Sequence, residues 1–229
     1  MQIKEIKDKL RKKSVVFQTG GARAENTINQ SWIGKVNLGY AEEVCPLDVN
    51  QKPMFPLMQL CLIDLPFIPN ALQNTKILTV FISSEFLQKP EKNFCIREYP
   101  ILEGLVEKDF GGSIEGIKSF PLFPQLIEND YPAWDSDDIP SDLADIILHM
   151  EEEEGIEYYE DIYEESEVKH KIGGYANYCQ GSNGFEAGYE FVLQIASDPK
   201  AELSIGDGGS IYFAKNPANN QWQADWDCF

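Results

Sequence analysis

Short hydrophobic runs recur along the chain, and most of them have the length of a β-strand rather than of a helix. The runs at residues 57–63 and 77–82 are almost entirely apolar and are bounded by proline or small polar residues. Runs that are apolar on both faces are typical of buried strands. The strands predicted in this way span residues 31–40, 57–63, 77–82, 191–196, 210–215 and 222–229. Pro121 and Pro124 instead predict turns within the mixed stretch 94–125.

Two segments have the spacing of an amphipathic helix. Apolar residues repeat at i, i+3, i+4 and i+7 within residues 141–153, which predicts a helix there. Ser141 is its expected N-cap, and Gly155 is expected to end it. Residues 1–13 predict a second, shorter helix with a basic solvent face.

Three anchors of the first half of the sequence return in the same order in the second half, which indicates an internal duplication. The pairs are Ile33-Gly34-Lys35 with Ile172-Gly173-Gly174, Leu57-Met58-Gln59-Leu60 with Val192-Leu193-Gln194-Ile195, and Leu78-Thr79-Val80-Phe81 with Ser210-Ile211-Tyr212-Phe213. A duplicated unit places a pseudo-twofold axis in the molecule, and the seam between the halves is then the place to look for a site.

The predicted fold class is α+β and predominantly antiparallel β, with two related β-rich halves and a few peripheral helices. We expect a single compact domain over residues 1–229, because its length and its 43% hydrophobic content suffice for one large core. Its parts are an N-terminal helix and lead-in (1–30), a first repeat-like half (31–125), an acidic helical connection (126–167) and a second repeat-like half (168–229).

The negative charge of the chain is concentrated in one segment. The formal net charge is −19, and residues 119–168 contain 17 carboxylates and neither Lys nor Arg. Such a segment is either a solvated face, partly neutralised by the basic N-terminal helix, or a docking surface that attracts a basic protein. The carboxylates predicted to form that surface are Asp135, Asp137, Asp138, Glu151, Glu152, Glu153 and Glu154. The acidity argues against unassisted binding to nucleic acid or to an anionic membrane.

The cysteines and the first residues indicate a cytoplasmic protein. The five cysteines are odd in number and include no Cys-x-x-Cys pair, a pattern that favours reduced thiols over a disulfide framework or a zinc site. The N-terminus has no apolar signal core, and no apolar run reaches the length of a membrane-spanning helix.

Candidates for catalysis and for metal binding are weak. His149 and His170 are the two histidines, and no Gly-x-Ser-x-Gly motif accompanies them. His149 is expected to be exposed on its helix, and His170 is expected to orient the following glycine turn. The run 135–138 offers carboxylates to a hard cation but lacks the Gly and Glu of a calcium loop. We therefore predict no catalytic residue, no metal and no cofactor.

Two glutamines stand out because each interrupts an apolar strand. Gln59 and Gln194 occupy matching places in the two repeats, and a buried amide must be hydrogen-bonded to avoid a large desolvation cost. They either tie their strands to neighbouring loops or line a pocket at the pseudo-twofold axis. Gln180 and Asp207, the latter in a Gly-Asp-Gly-Gly turn, complete the predicted binding residues.

Several local motifs together resemble the bacterial YwqG-like family, also called the domain of unknown function 1963. The motifs are Ser31-Trp32-Ile33-Gly34-Lys35-Val36, Pro53-Met54-Phe55-Pro56-Leu57-Met58-Gln59-Leu60, Asp130-Tyr131-Pro132-Ala133-Trp134, Lys171-Ile172-Gly173-Gly174-Tyr175 and Gly206-Asp207-Gly208-Gly209, with the closing Trp226-Asp227-Cys228-Phe229. The resemblance implies a duplicated, mostly β fold and supplies no catalytic residue.

These features support two hypotheses about function. The first is a non-catalytic protein-binding module, of the immunity or antitoxin kind, whose acidic surface covers a basic partner. The alternative is a small-ligand binder or an enzyme with a site in the cleft between the halves. The sequence is compatible with a monomer or with a homodimer.

Overall fold

Antiparallel strands make up most of the ordered structure. A computed structural model describes residues 2–23, 27, 29–111, 116–164, 168–181 and 185–229. Within these residues the strands are β1 (Lys12–Thr19), β2 (Ser31–Ile33), β3 (Leu38–Tyr40), β4 (Phe55–Cys61), β5 (Ile77–Ile82), β6 (Phe94–Tyr99), β7 (Leu105–Glu107), β8 (Phe120–Asp130), β9 (His170–Gly173), β10 (Glu190–Ala196), β11 (Ser210–Lys215) and β12 (Trp222–Asp227). The helices are α1 (Ile3–Leu10) and α2 (Ser141–Glu154), with 3-10 turns at Asn70–Leu72 and Pro90–Lys92 and a π-helical turn at Tyr158–Ile162. The predicted class, mostly antiparallel β with few helices, is confirmed.

Ten of the described strands form one sheet. Its order is β12-β11-β10-β9-β1-β8-β2-β4-β5-β6, and every neighbouring pair is antiparallel. The remaining two described strands, β3 and β7, form a separate ribbon. The predicted strand 31–40 is therefore two strands, β2 and β3, because Gly34 adopts a positive φ of 71° directly after β2 and turns the chain out of the sheet.

The prediction of turns at Pro121 and Pro124 is wrong, since both prolines lie within β8 at the centre of the sheet. The carbonyl of Pro121 accepts a hydrogen bond from Gly20, and its nitrogen faces the same side, just beyond the end of β1. The nitrogen of Pro124 faces the opposite edge of β8, towards β2. There β2 pairs with β8 only as far as Leu122. Neither missing N–H therefore interrupts a complete ladder. β8 also crosses the predicted boundary between residues 125 and 126.

The sheet curves so that its two ends approach each other around an apolar core. The ring of Phe213, on β11, lies 5.5 Å from that of Phe94, on β6, and 6.3 Å from that of Phe86. The indole N–H of Trp226, on β12, donates to the carbonyl of Leu87 at 2.9 Å. The core between these ends contains apolar side chains from both predicted halves. The interior of the seam between the halves is therefore filled by apolar groups.

The helices form a separate layer outside the sheet. α1, α2 and the π-helical turn share a second apolar cluster, in which Leu143, Ile147 and Met150 provide the buried stripe of α2. Gly155 ends α2 with a φ of 70°, as predicted. The expected N-cap is wrong, because Pro140 occupies that position and Ser141 is the first helical residue.

Candidate functional site

The two predicted glutamines are buried and hydrogen-bonded, as expected from their place in apolar strands. Both are 0% exposed. In each, the amide oxygen accepts from one backbone N–H and the amide nitrogen donates to one backbone carbonyl. The partners are Asn37 and Gln30 for Gln59, at 3.1 and 3.0 Å, and Asn177 and Lys169 for Gln194, at 2.8 and 3.0 Å. Four strands of the sheet separate the two side chains, so the fold does not bring them together.

Gln180 and Asp207 lie at the corner that holds the C-terminal residues. The side chain of Gln180 donates to the carbonyl of Cys228 at 2.5 Å, and the carbonyl of Asp207 accepts the N–H of Phe229 at 3.3 Å. Both residues thus anchor the end of the chain. The fold separates them from Gln59, which lies in the other half of the sheet.

The predicted acidic surface divides into an exposed part and one inward-facing carboxylate. Asp135, Asp137 and residues 152–154 are exposed, and Glu151 accepts the N–H of Tyr158 at 3.2 Å. Asp138 is half-buried and faces a cavity between the loop after β4 and the strands β1, β9 and β10. The sequence pattern did not distinguish this aspartate from its neighbours.

That cavity forms one part of a groove, which we call the seam groove. Its first cavity, of about 440 Å³, is lined from the first half by the loop after β4 and from the second half by the end of β9 and the start of β10. A second cavity, of about 490 Å³, adjoins it and shares the lining residues Asn70 and Ala71. Volumes of this size accommodate small organic molecules.

Two consecutive glycines shape the wall of the first cavity. Gly173 and Gly174 both have φ near +68°, a conformation that favours glycine. A Cβ at Gly173 would lie 2.8 Å from the ring of Phe67, and a Cβ at Gly174 would overlap the carboxylate of Asp130. Glycine is therefore required for the first-half loop and the buried charge behind it to approach β9 so closely.

A buried ion pair lies behind this wall. Lys171 Nζ is 3.2 Å from Asp130 Oδ2, and both residues are only 1% exposed. The N–H of Tyr175 approaches the same oxygen at 3.3 Å. Asp130 Oδ1 has no hydrogen-bond partner among the described residues. Burial lowers the pKa of Lys171, although the charge of Asp130 opposes this shift.

Lys12 and Asp138 place opposite charges on the groove itself. Burial raises the pKa of Asp138, and this effect outweighs the opposing influence of Lys12, Ser136 and Lys171. Lys12 Nζ lies 3.9 Å from the centroid of the Tyr175 ring, a cation–π contact. Perturbed titratable groups at a cleft are a general indicator of a functional site.

The second cavity contains an ion pair that joins the two ends of the sheet. Lys215, on β11, contacts Glu98, on β6, at 2.7 Å and also donates to the carbonyl of Ala71 at 3.0 Å. Thr75 and the indole of Trp222 donate to the same carboxylate at 2.6 and 3.0 Å. Both carboxylate oxygens of Glu98 therefore already have partners within the protein.

Of the two histidines, one is exposed and the other is buried. His149 is exposed on α2, as predicted. His170 is buried: its Nε2 lies 3.2 Å from Asp198 Oδ2, and its Nδ1 accepts the N–H of Ala196 at 3.1 Å. Burial would raise the pKa of Asp198, but hydrogen bonds from His170, Thr19 and the backbone hold it well below its usual range. Both ring nitrogens are engaged, so His170 has a structural role within the described chain.

The residues that sequence reasoning missed are Lys12, Asp130, Lys171, Glu98 and Lys215. Asp130 and Lys171 stand inside motifs that carry the family resemblance, but nothing in the sequence shows that they meet. A charged residue within an apolar strand, as Lys171 and Lys215 are, was the available signal. In the described chain no three or more His, Cys, Asp or Glu residues are placed to hold a metal ion. No helix found in the described ranges could cross a membrane.

Comparison with known families identifies the chain. The family model described as "Domain of unknown function (DUF1963)" matches residues 39–224, and the protein belongs to this family. The match includes the loop after β4, Asp130, Asp138 and the glycine pair of the seam groove, whereas Lys12 precedes it. No curated protein matches the sequence.

Proposed function

We propose that this protein binds a small polar molecule in the seam groove. The observation that carries the proposal is the position of Asp138, a carboxylate held half-buried beside a cavity of about 440 Å³ that both predicted halves line. A carboxylate whose pKa is raised by burial costs stability when ionised, and such a group beside a cleft favours a role in binding. The groove combines aromatic walls with a few polar groups, as small-molecule sites do.

An experiment on the groove can use one plugging variant and one matched control. Ala71 lines both cavities, so Ala71→Phe should fill the groove where they meet, while Ala41→Phe adds the same ring at an exposed loop. Ligand-observed NMR with a library of small polar fragments should detect binders of the native protein and of Ala41→Phe. These signals should disappear in Ala71→Phe. Equal binding by all three proteins, or none by the native one, would contradict the proposal.

A second candidate function is the docking of a basic protein on the acidic face of the helical layer. Glu152, Glu153 and Glu154 form no salt bridge within the described residues. The basic helix α1 contacts the helical layer through Lys7, whose Nζ lies 3.2 Å from the carboxylate of Glu164. Leu148 and Tyr159 on the same layer are 45% and 52% exposed. An unneutralised acidic face with apolar side chains suits a basic partner.

Calorimetric titration with basic proteins encoded by neighbouring genes tests this second function. Changing Glu151, Glu152, Glu153 and Glu154 to Gln should weaken binding, and raised salt should weaken it further because exposed charges are screened. The control changes four exposed glutamates of the first half to Gln, namely Glu42, Glu91, Glu103 and Glu107. Equal loss in both variants would show that only net charge matters, and binding that ignores both would exclude the acidic face.

We further propose that the two halves of the sheet are related by duplication. The strand order supports this, because β2, β4, β5 and β6 follow β8 on one side as β9, β10, β11 and β12 follow β1 on the other. Trp32 pairs with Gln59 as Lys171 pairs with Gln194. The N–H of Cys61 bonds to Ser31, and that of Ala196 bonds to His170.

Details of register support the same relation. The pairing of β4 with β5 skips Leu57, and that of β10 with β11 skips Val192, each two residues before its glutamine. By this register Val80, not Phe81, corresponds to Phe213, so the third sequence anchor is displaced by one residue. A Cβ on Gly34 would meet the carbonyl of Lys118 at 2.8 Å, and one on Gly173 would meet that of Lys13 at 3.1 Å.

A further inference from the structure

We infer that the ligand of the seam groove is a zwitterion of the size of a free amino acid, with its ammonium group at Asp138 and its carboxylate at Lys12. This inference rests on the proposed function and names the class of ligand. It follows from the arrangement of charge around the cavity of about 440 Å³ and from the side chains of its walls.

Charged side chains of both signs line the same cavity, namely Lys12, Lys13, Asp138 and Glu190. Asp138 interacts electrostatically with Lys12, yet in the described chain neither residue forms a salt bridge within 4.0 Å. By contrast Lys13, which also lines the cavity, is paired with Glu128 at 2.8 Å. A molecule that brings a cation to Asp138 and an anion to Lys12 would pair both groups at once.

A buried carboxylate lies behind Gly174. Asp130 is 1% exposed, and its Oδ1 has no partner in the part of the chain that the structure describes. Gly174 lines the cavity, and the Asp130 carboxylate occupies the space that a side chain at this position would take. The negative charge directly behind this wall favours a cationic donor group on the cavity side.

The mixed charges of the lining disfavour ligands of one charge sign. A simple anion would satisfy Lys12 but would face Asp138 and Glu190, and a simple cation would satisfy these carboxylates but would face Lys12. Either ligand would remove water from a charged group without pairing it, and that costs binding free energy. Both charges on one small molecule avoid this cost.

Aromatic side chains form another part of the cavity wall. Phe67, Tyr189 and Phe191 are half-buried and line the same cavity, two of them from the second half and one from the first. They provide apolar surface for a side chain next to the charged groups. An aromatic or aliphatic amino acid therefore fits the walls better than glycine does.

The experiment uses the full chain and the proteinogenic amino acids as probes, one by one, in thermal-shift and calorimetric titrations. At least one apolar amino acid should bind. Its N-acetyl derivative, which lacks the ammonium group, and its amide, which lacks the carboxylate, should each bind about tenfold more weakly or worse. The proposal is overturned if no amino acid binds, or if the blocked derivatives bind as well as the free one.

Matched variants assign each end of the ligand. In Asp138→Asn the native preference for a free ammonium group should disappear, and in Lys12→Gln the preference for a free carboxylate should disappear. Asp137→Asn and Lys9→Gln, at exposed neighbouring positions, should retain both preferences. If polar fragments bind and Ala71→Phe abolishes that binding while amino acids do not bind, the zwitterion inference fails and the groove stands. If nothing binds, both proposals fail.

Discussion

At the scale of single residues, the glutamines show how far one sequence can be interpreted. The position of an amide within an apolar run predicted both its burial and its hydrogen bonding, because a buried amide without hydrogen bonds would destabilise the core. The sequence could not show which loops supply the partners. That depends on the turns after the neighbouring strands β2 and β9, where Gly34 and Gly173 have a positive φ and the N–H groups of Asn37 and Asn177 then reach the amides.

Replacing either glutamine should destabilise the protein by a similar amount. Gln59→Leu and Gln194→Leu each remove one hydrogen bond to a backbone N–H and one to a backbone carbonyl, so each should lower the free energy of unfolding by about 2–4 kcal/mol. Urea denaturation measures both values, with Gln88→Leu, at an exposed position, as the control. A large loss in one half and none in the other would argue against equivalent environments.

Asp138 should show the opposite effect on stability. Its pKa is raised in the native state, so the native protein binds the proton more tightly than the unfolded chain does. Ionisation therefore removes stability as the pH rises from the ordinary aspartate pKa through the raised native value. Asp138→Asn should melt at a higher temperature than the native protein near neutral pH, and the difference should vanish in acid. An unchanged or lower melting temperature at neutral pH would contradict the cost assigned to this charge.

At the scale of elements, the sequence predicted strands by composition better than it predicted their pairing. β5 was predicted at its observed bounds because residues 77–82 form a nearly continuous apolar run. All six residues are buried in the structure. β8 was missed because its two prolines suggest turns. They are tolerated because β1 ends before the level of Pro121 and β2 pairs with β8 only as far as Leu122, short of Pro124. The sequence suggested a cleft between the halves, but it could not show which residues line the seam groove, because loops of distant elements meet there.

The glycine turn after β9 provides a test at this scale. Gly174→Ala combines an unfavourable φ with overlap on Asp130, whereas Gly155→Ala, with a φ of 70° and open space around it, carries only the backbone cost. The backbone cost alone is about 1 kcal/mol. Gly174→Ala should therefore lose clearly more stability in chemical denaturation than Gly155→Ala does. Equal losses of stability in the two variants would mean that Asp130 can move enough to accommodate the added methyl group.

At the scale of the whole molecule, the near-closure of the sheet depends on contacts between its two ends. Glu98 and Lys215 form the polar part of this contact, beside the Phe94–Phe213 pair. The sequence predicted a seam, but it did not predict that an ion pair would bridge it. The charge asymmetry of the chain was visible from composition, and α2 indeed presents its acidic residues to solvent.

Breaking this ion pair from one side should cost more than removing it. Lys215→Met leaves Glu98 without its cation in a largely buried place and should lower the free energy of unfolding by about 3 kcal/mol. Adding Glu98→Gln should recover part of that loss, because the uncompensated charge is then gone. Urea denaturation of the single and double variants gives the coupling. Simple additivity of the two losses would contradict this account of the closure.

A crystal structure of the protein soaked with the polar fragments and amino acids that bind in solution would locate the bound molecule. We expect electron density in the seam groove, between Asp138, Gly174 and Phe191. Density confined to another cavity, such as the apolar one of about 270 Å³ beside Phe55 and Leu87, would contradict it.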